Sequence, residues 1–553
     1  MATDWQTFPV EFRGGLVSNL TPLQQGTNAV GTATILQNFE PSLTGGYSKV
    51  KGFRKFNANT IPIKNQDGTT VGSPSLNQQR MQCVALVSNN YTAVVVRNGS
   101  YYVVNSSAVT QGHSATTAHF NGNSGTTTRT GITGGTKVRF AHYNFGAGEK
   151  TIFVDGVNAP AFYGGGSPAT SMSFADASDS EYIPIIGAEF VTVFKNHIVV
   201  GKNTTPNGAN SIIFGKVNTD NKFSTNALEI NVKDTITGLI VFREQLIVFT
   251  KNSVQRIVGS STDLNSANVF TLSSITDDIG CIHEDTIQEV GGDVLFFAPD
   301  GIRSLAATEK IGDFGLEVAS KPIKKSVDSL SGTHYDSIVI REKGQYRIFA
   351  YNSGFTIQDS EGLIATKLID QGGAGLNWAT TRGFKSYVSD SRYYGGTGAQ
   401  AETVCFANED GYIYEGEVTT SLGGATIHAI YESPFMPIND PTLRKTFYKL
   451  GLYLDPDGAI TAQVSLKYDQ GDVDVIQPQA IDVTTTGSGV SFYNNNTSTY
   501  NASTVFSSDF NKLYNNNVVG SGKTVAIRIE EESTNPTFRL DTAVLEYSVE
   551  TRQ

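Results

Sequence analysis

The side chains that could do chemistry in this sequence are scattered rather than grouped. The chain contains neither a Gly-x-Ser-x-Gly turn for a serine nucleophile nor a His-Glu-x-x-His zinc pair. Asp and Glu number 52 in total, but no spacing singles out a pair for glycoside hydrolysis. The seven histidines are far apart: His113, His119, His142, His197, His283, His334 and His428. We therefore predict that the protein is not an enzyme. A glycosidase is our third hypothesis, after the two given at the end of this section, and the sequence offers no catalytic residue to nominate for it.

Metal and cofactor sites are not expected either. The segment Asp455-x-Asp457-Gly458 starts like a calcium loop, but it lacks the third carboxylate and the distal Glu, which favours a plain turn. Three widely separated cysteines, Cys83, Cys281 and Cys405, lie in apolar runs and have no metal-ligand spacing. They are predicted to be buried free thiols. We expect no cofactor and no metal.

One basic cluster stands out near the N-terminus. Lys49, Lys51, Arg54 and Lys55 lie in a run that mostly alternates basic and apolar residues, which predicts a strand. One interpretation is a solvated edge strand protected by lysines. The other is a surface that docks onto an acidic partner subunit, and these four residues are our candidate docking site.

The strands that would position any site are marked by a recurring turn signal. Asn-Gly and Asp-Gly supply the positive φ angles of tight turns, and they recur about every 50 residues, or about twice that interval, between apolar runs. A period of about 50 residues built from short strands is typical of propeller blades. We predict an all-β protein with a β-propeller of about five to eight blades. The predicted tips are Asn98-Gly99, Asp155-Gly156, Asn252-Ser253, Asp300-Gly301 and Asp410-Gly411, with Lys202-Asn203 and Asn352-Ser353-Gly354 in the two long gaps.

The flanking segments differ in texture from this repeat. Residues 1–57 are predicted to be an extended N-terminal arm with a docking strand, residues 58–425 the β-propeller, and residues 426–553 a C-terminal β-sandwich. In the last region, Lys445 to Leu454 and Ala462 to Tyr468 are predicted to pair as a hairpin across an Asp-Pro-Asp-Gly turn.

Two other segments interrupt the β pattern. One short helix is predicted around Ser320 to Leu330, with Pro322 near its start. The Gly/Thr/Asn-rich segment 108–135 is expected to contact a neighbouring subunit.

Composition limits the partners that the chain can have. Charged residues make up 17% of the sequence and the formal net charge is -11. An acidic chain is poorly suited to gripping nucleic-acid phosphates, although it could line a passage through which DNA slides. Low charge also fits a surface buried in an assembly. The first residues lack a basic and an apolar export region, and no run approaches the roughly 18 apolar residues of a membrane span.

The segment Asn38-Phe39-Glu40-Pro41, followed by Gly45-Gly46-Tyr47 and by Lys51 to Lys55, resembles the opening of tail nozzle (tail tubular, or hub) proteins of short-tailed bacteriophages. Arg444 to Leu450, together with Tyr468-Asp469-x-Gly471, is also similar to that group. The resemblance implies a homo-hexameric ring in the virion tail, assembled in the host cytoplasm below the portal and adaptor rings. Its implied partners are the tail adaptor, tail fibre proteins, the host cell surface and double-stranded DNA in passage. No catalytic residues come with it.

We therefore expect a virion structural protein that closes the tail channel and conducts DNA at ejection. The alternative is a receptor- or glycan-binding tail fibre or adhesin module, which would use aromatic loops such as Tyr493 to Tyr500.

Overall fold

The computed structural model describes most of the chain and is dominated by β-strands, as predicted. The described residues are 5–64, 69–87, 92–105, 109–111, 136–146, 148–164, 172–174, 185–204, 208–218, 228–259, 270–305, 318–370, 373–393, 402–472, 474–485 and 512–550.

The N-terminal segment is not an extended arm, which corrects our expectation for residues 1–57. It contributes strands to three different sheets, and several of its apolar side chains are buried in the core: Phe12, Phe39 and Tyr47 are at most 1% exposed. The elements are β1 (Gln6–Glu11), α1 (Pro22–Asn28), β2 (Ile35–Gln37), β3 (Phe39–Pro41), β4 (Tyr47–Lys49) and β5 (Gly52–Lys55), with α2 (Leu76–Gln79) following.

Helix α1 had a signal that the sequence prediction missed. Thr21 caps the helix: its hydroxyl oxygen accepts a hydrogen bond from the Gln24 backbone N–H, and the Gln24 side-chain oxygen accepts one from the Thr21 backbone N–H. Pro22 occupies the first turn, where its missing N–H costs nothing.

Among the described residues, the region predicted to be repetitive contains six small antiparallel sheets and one four-stranded antiparallel part of a larger sheet, which we call repeat sheets 1 to 7 in chain order. Repeat sheets 1 to 4 each have four strands. They are β6–β9 (Met81–Val87, Thr92–Arg97, Ser100–Asn105, Val109–Gln111), β10–β13 (Arg139–Tyr143, Lys150–Val154, Ala161–Tyr163, Met172–Phe174), β14–β17 (Phe190–Phe194, His197–Gly201, Ser211–Phe214, Glu229–Asn231) and β18–β21 (Ile236–Phe242, Gln245–Thr250, Val254–Gly259, Phe270–Thr276).

Repeat sheets 5 to 7 follow the same plan with two variations. Sheet 5 has three strands, and sheet 7 gains its fourth strand from the N-terminal segment, because β5 pairs with β31. They are β22–β24 (Gln288–Val290, Asp293–Ala298, Gly301–Ser304), β25–β28 (His334–Ile340, Gln345–Tyr351, Glu361–Asp370, Gly373–Arg382) and β29–β31 (Val388–Tyr393, Glu402–Ala407, Ile413–Thr419).

Short helical elements lie in several of the connections between strands. The predicted helix near residue 320 is confirmed as a 3-10 turn Lys321–Ile323 that runs into α3 (Lys324–Ser329). Three more 3-10 turns are Glu284–Thr286, Arg341–Lys343 and Asp469–Gly471.

The predicted turn tips all occupy one position in the repeat. Each of the seven lies between the second and the third strand of its sheet in chain order; in sheet 7 these strands are β30 and β31. At the first tip, Asn98 and Gly99 have φ angles of 49° and 74°, the left-handed conformation that these residue types favour. The two tips placed by interpolation, at Lys202 and Asn352, obey the same rule.

The first strands of the repeat sheets lie side by side. β10 contacts β14, β14 contacts β18, β22 contacts β25, and β25 contacts β29. β29, in the last sheet, also contacts β6, in the first. Apolar clusters fill the spaces between neighbouring sheets; one joins Phe249 of sheet 4 to Phe296 of sheet 5 at 5.0 Å between ring centroids.

The C-terminal strands form two larger sheets that share one apolar core with the N-terminal segment. Terminal sheet A contains β1, β3, β4, β33, β36, β37 and β39; terminal sheet B runs β2-β32-β38-β34-β35 and continues repeat sheet 6 through a parallel β2–β28 pair. The new strands are β32 (Ile427–Glu432), β33 (Lys445–Pro456), β34 (Thr461–Tyr468), β35 (Ile481–Thr484), β36 (Lys512–Asn517), β37 (Ser521–Gly522), β38 (Val525–Ser533) and β39 (Phe538–Val549).

The predicted hairpin between β33 and β34 is wrong. β33 pairs with β39 in terminal sheet A, while β34 pairs with β38 in terminal sheet B. The turn between them carries the chain from one sheet to the facing one, so Phe447 and Tyr468 stack across the core at 5.5 Å. Both strands alternate apolar and polar residues, and this alternation is the same for a hairpin and for a crossing between facing sheets.

Candidate functional site

A cavity of about 270 Å³ lies where the first strands of the repeat sheets meet. Every one of the seven repeat sheets, or the residues just before its first strand, contributes to the wall. One residue from each is Cys83, Phe140, Val191, Leu239, Gln288, Ser337 and Asp390. The cavity is therefore a property of the whole set of sheets rather than of any one of them.

Charged side chains cross this cavity in a continuous network. Arg139 Nε lies 2.9 Å from Asp285 Oδ1, and Arg139 NH2 lies 2.8 Å from Glu284 Oε2. Lys202 Nζ joins Glu284, at 3.1 Å, to Glu189, at 2.6 Å. The network ties repeat sheets 2 and 3 to the segment that begins sheet 5.

Lys137 extends the network to repeat sheets 6 and 7. Its Nζ is 3.0 Å from Asp285 Oδ2 and 3.8 Å from Asp336 Oδ1. Ser386 Oγ donates to Asp336 Oδ2 at 2.5 Å. Burial alone would raise the pKa of Asp285, but the Arg139 guanidinium and the Lys137 ammonium outweigh it and hold that pKa well below the ordinary range.

The pKa values of two other carboxyl groups in the cavity are shifted in the opposite direction, upwards. Burial raises the pKa of Asp336, against the opposing effect of Lys137. Burial raises the pKa of Asp390 to about 7, although the backbone N–H groups of Leu86 and Ser391 favour its ionised form. The cavity thus holds an ionised carboxylate and a carboxyl group that titrates near neutral pH.

Asp390 also closes the contact between the last and the first repeat sheet. Its Oδ2 accepts from the Leu86 N–H at 2.7 Å, and Arg392 NH1 donates to the Leu86 carbonyl at 3.1 Å. These two side chains of β29 satisfy both backbone groups of Leu86 on the free edge of β6.

Sequence reasoning did not find this network. Its charged residues belong to no motif and are separated by up to some 200 positions. The available signal was positional, since Lys137, Arg139, Asp336 and Asp390 all lie just before or within the first strand of a repeat.

The four residues of the predicted docking cluster do not form one surface. The prediction is wrong for Lys49, because this residue is buried. Lys49 Nζ lies 2.5 Å from Glu531 Oε2, and both side chains are 0% exposed. β4 places Lys49 between terminal sheets A and B, so its charge is balanced inside the chain. Burial lowers the pKa of Lys49, against the opposing effect of Glu531.

The other three residues of the cluster are at the surface in different surroundings. Arg54 pairs with Glu415 at 2.9 Å on the neighbouring strand β31. Lys55 Nζ lies 3.5 Å above the centre of the Tyr412 ring. Lys51 is exposed and lines a cleft of about 340 Å³ between repeat sheet 6 and terminal sheet A.

A second buried ionic network lies beside that cleft. Arg347 NH2 is 2.8 Å from Glu40 Oε2, and Arg347 NH1 is 2.7 Å from Glu417 Oε1. Lys343 contacts the same two carboxylates. Glu40 on β3 is thereby fixed to β26 and β31, which attaches the N-terminal segment to repeat sheets 6 and 7.

Other predicted features are placed as follows. Cys83, Cys281 and Cys405 are buried and unpaired, as predicted. Asp455 pairs with Arg539 at 3.2 Å, and the Thr537 hydroxyl donates to Asp457. Tyr493 to Tyr500 and most of segment 108–135 lie outside the described residues.

The described residues include no group of three or more His, Cys, Asp or Glu side chains arranged to hold a metal ion. None of their helices is long and apolar enough to cross a membrane.

No family model and no curated protein matches this sequence. Solved structures are similar at 9% identity. Raptor from Chaetomium thermophilum has a TM-score of 0.34 and covers 69% of this chain, which spans only 29% of the Raptor chain. An exo-β-1,3-galactanase from Phanerochaete chrysosporium has a TM-score of 0.25, and the match covers 88% of this chain and all of the galactanase chain. A family 43 arabinoxylan arabinofuranohydrolase from Bacillus subtilis has a TM-score of 0.26, and the match covers 90% of this chain and all of the enzyme chain.

The prediction that this protein is not an enzyme is corrected by this comparison. Two of the similar structures are glycoside hydrolases, so the class of enzymes is open for this chain. TM-scores this low carry no argument for a particular activity.

Proposed function

We propose that this protein is a virion structural protein: the tail nozzle, or hub, of a short-tailed bacteriophage. In this proposal, copies assemble into a ring, of six by the resemblance, below the portal and adaptor. The ring closes the tail channel and conducts the genome at ejection. Its partners are its own copies, the tail adaptor and tail fibre proteins, with the host surface and double-stranded DNA in passing contact.

The proposed architecture is a seven-bladed β-propeller attached to a β-sandwich. Each repeat sheet is one blade, and terminal sheets A and B are the sandwich. The contact of β29 with β6 and the pairing of β5 with β31 support this proposal, because a propeller must join its last blade to its first and commonly does so with a strand from the far end of the chain.

The observation that carries the proposal concerns the residues of the resemblance. Asn38 Oδ1 accepts from the backbone N–H of Arg382 at 2.8 Å, while its Nδ2 donates to the His428 carbonyl at 2.9 Å. Asn38 thus bridges repeat sheet 6 and terminal sheet B, with a φ of 52° that asparagine tolerates.

The neighbouring residues of the same segment are fixed just as tightly. A Cβ at Gly46 would lie 2.3 Å from the Leu540 carbonyl oxygen, and one at Gly52 would lie 1.9 Å from that of Ser421. Phe53 packs edge-on against Phe406 and Tyr414, with ring centroids 5.1 and 5.0 Å away. The segment that resembles the nozzle proteins is therefore the one that fastens the blades to the sandwich.

The proposed mechanism is geometric. The central cavity of one chain, at about 270 Å³, is far smaller than a DNA duplex, so the passage must form between copies. Rigid subunits close such a ring when the same two patches meet at every contact. The net charge of -11 favours passage without trapping of phosphates.

Mass and shape in solution test this proposal. Light scattering followed by negative-stain imaging should give a ring of about six copies with a central hole. A chain that stays monomeric at high concentration, and that also forms no ring when mixed with its tail adaptor, would overturn it.

A second candidate, hydrolysis of a glycosidic bond in the central cavity, is favoured by one observation. Asp285 is held ionised and Asp390 titrates near neutral pH, and both line the same cavity. Carboxyl groups whose pKa values are pushed apart can serve as base and acid. A panel of polysaccharides tests it: activity must disappear in Asp285→Asn and Asp390→Asn but persist in Glu532→Gln, a carboxylate of terminal sheet B outside the cavity.

A further inference from the structure

The outer face of terminal sheet A presents an ordered set of side chains that the proposed function does not use. Four strands, β1, β39, β33 and β36, are paired side by side there. Residues directly opposite each other in the pairing share a face. Three rows follow from the register: Thr7–Glu546–Lys449–Asn517, Pro9–Val544–Gly451–Asn515 and Glu11–Thr542–Tyr453–Leu513.

A stacked aromatic pair lies at one end of these rows. The rings of Trp5 and Tyr448 are 5.0 Å apart and inclined by 16°, and Trp5 is 52% exposed. The register of β33 shifts between Phe447 and Lys449, which turns both Tyr448 and Lys449 outward. A hydrogen bond of 2.9 Å between the Tyr448 and Ser548 hydroxyls fixes the tyrosine. The result is a preorganised, solvent-facing indole.

Side-chain amides continue the face beyond the aromatic pair. Asn515 and Asn517 are exposed on β36 and point to the same side as Lys449 and Gly451. Gly451 has no side chain, so Leu513 and Asn515 lie over it: a Cβ there would be 2.9 Å from Leu513 Cδ1 and 3.0 Å from Asn515 Oδ1. The glycine therefore leaves the space that these two side chains occupy in the middle of the face.

Charge is nearly balanced on this face although the chain is acidic. Lys449 Nζ and Glu546 Oε2 are 3.7 Å apart, and Glu11 pairs with Arg13 at 3.4 Å. The remaining polar groups of the rows are neutral amides and hydroxyls. A ligand of this face is therefore expected to be uncharged and rich in hydrogen-bonding groups.

We propose that the outer face of terminal sheet A binds a neutral glycan. A sugar ring has a face of polarised C–H groups, which suits the electron-rich face of Trp5. Sugar hydroxyls both donate and accept, as the amides of Asn515 and Asn517 do. The face is four strands wide and open to solvent, which fits an extended polysaccharide rather than a small molecule that needs an enclosed pocket.

This site goes beyond the proposed ring and is independent of it. It gives a tail protein direct contact with a carbohydrate cell surface. Because the face belongs to the terminal sheets, its loss should leave ring assembly unchanged.

Binding of the full-length chain to an array of neutral glycans tests the inference. The best glycan is then titrated by tryptophan fluorescence, for which the chain is well suited: its two tryptophans are Trp5 and Trp378, and Trp378 is 1% exposed with its N–H bonded to the Ala319 carbonyl. We expect Trp5→Ala to weaken binding on the array at least tenfold and Asn517→Ala to weaken it severalfold. The matched control is Tyr393→Ala, which removes a 41% exposed aromatic ring elsewhere and should not change binding.

Three outcomes would overturn the inference: no neutral glycan is bound, Trp5→Ala binds as well as the unaltered chain, or Trp5→Ala lowers the oligomeric mass in solution. The last outcome would assign the face to contact between copies. Since Trp5 is 52% exposed, its replacement should leave the melting temperature nearly unchanged, which separates loss of binding from loss of folding.

Discussion

The repeat sheets and the terminal sheets are made of similar strands but are joined over very different distances along the chain. At the first tip, Arg97 pairs with Ser100 across a two-residue turn. In terminal sheet A, Gln6 pairs with Tyr547. Strands that are close in sequence pair with a small loss of chain entropy, whereas strands from the two ends of the chain pair only after a long loop has been closed. The terminal sheets therefore depend more heavily on a few buried contacts.

The two regions also treat buried charge differently. In the central network, five charged groups have two ionic partners each, and the side chains are between 7% and 33% exposed; the five are Lys137, Arg139, Lys202, Glu284 and Asp285. The Lys49–Glu531 pair is completely enclosed, with one principal partner for each charge. Shared and partly hydrated charges tolerate the loss of one member better than an enclosed pair does.

The largest effect is therefore expected for Lys49→Met. The substitution leaves Glu531 buried without a counter-charge, which typically costs about 3–5 kcal/mol of unfolding free energy. Urea unfolding followed by circular dichroism should show a midpoint at a lower urea concentration than for the unaltered protein. Exposed Lys51→Met is the control and should shift unfolding by less than about 0.5 kcal/mol.

The double variant Lys49→Met/Glu531→Met sharpens this comparison. With both charges removed, most of the loss should be recovered, because well-packed apolar residues can replace a buried ion pair. If the double variant is as unstable as the single one, the side chains act through packing rather than charge.

The next largest effect is expected for Gly52→Ala, where the N-terminal segment joins repeat sheet 7. The added methyl would lie 1.9 Å from a backbone oxygen of Ser421, so either β5 or its neighbour must move. Overpacking of this kind typically costs about 1–3 kcal/mol, and thermal unfolding measures it. Gly375→Ala, in a strand where a Cβ would meet nothing within 4 Å, is the matched control and should be nearly neutral.

The contrast between the regions also explains what the sequence could predict. Five of the turn tips were found because Asn-Gly, Asp-Gly and Asn-Ser pairs mark turns locally, and the tips at Lys202 and Asn352 followed from the spacing between the others. The role of residues 1–57 was missed because their partners lie hundreds of residues away, as Glu40 with Arg347 and Lys49 with Glu531 show. Nothing in a basic residue such as Lys49 distinguishes a surface patch from an enclosed ion pair until the opposite strand is known.

The candidate site was unpredictable for the same reason. Lys137, Asp336 and Asp390 lie in or just before the first strands of three repeat sheets, and only the packing of these sheets against one another brings them to one cavity. The outer face of terminal sheet A, which we propose binds a glycan, shows the converse case. Its exposed Trp5 and the asparagines of β36 are visible in the sequence, yet their common face follows from the register of four strands.

A smaller and pH-dependent effect is expected for Asp390→Asn at the contact between β29 and β6. The pKa of Asp390 is about 7 in the folded protein, against about 3.9 in an unfolded chain. Its favourable contribution to stability is thus fully present below about pH 4 and is lost as pH rises towards 7.

The variant has no such titration, and its amide oxygen can still accept from Leu86. Relative to the unaltered protein, Asp390→Asn should therefore gain stability between pH 5 and pH 8, by on the order of 2 kcal/mol. Thermal melts at the two pH values measure this change. A difference between the two proteins that stays constant with pH would contradict it.

The smallest effect is expected for Gly292→Ala in a local turn of repeat sheet 5. Gly292 has a φ of 76° and joins β22 to β23, and a Cβ there would meet nothing within 4 Å. The cost is then the left-handed strain of an alanine alone, about 1 kcal/mol. Thermal unfolding should show a shift well below that of Gly52→Ala. If the two glycines cost the same, the repeat sheets depend on backbone fit as strongly as the terminal sheets, and the distinction between a locally specified region and a long-range one fails.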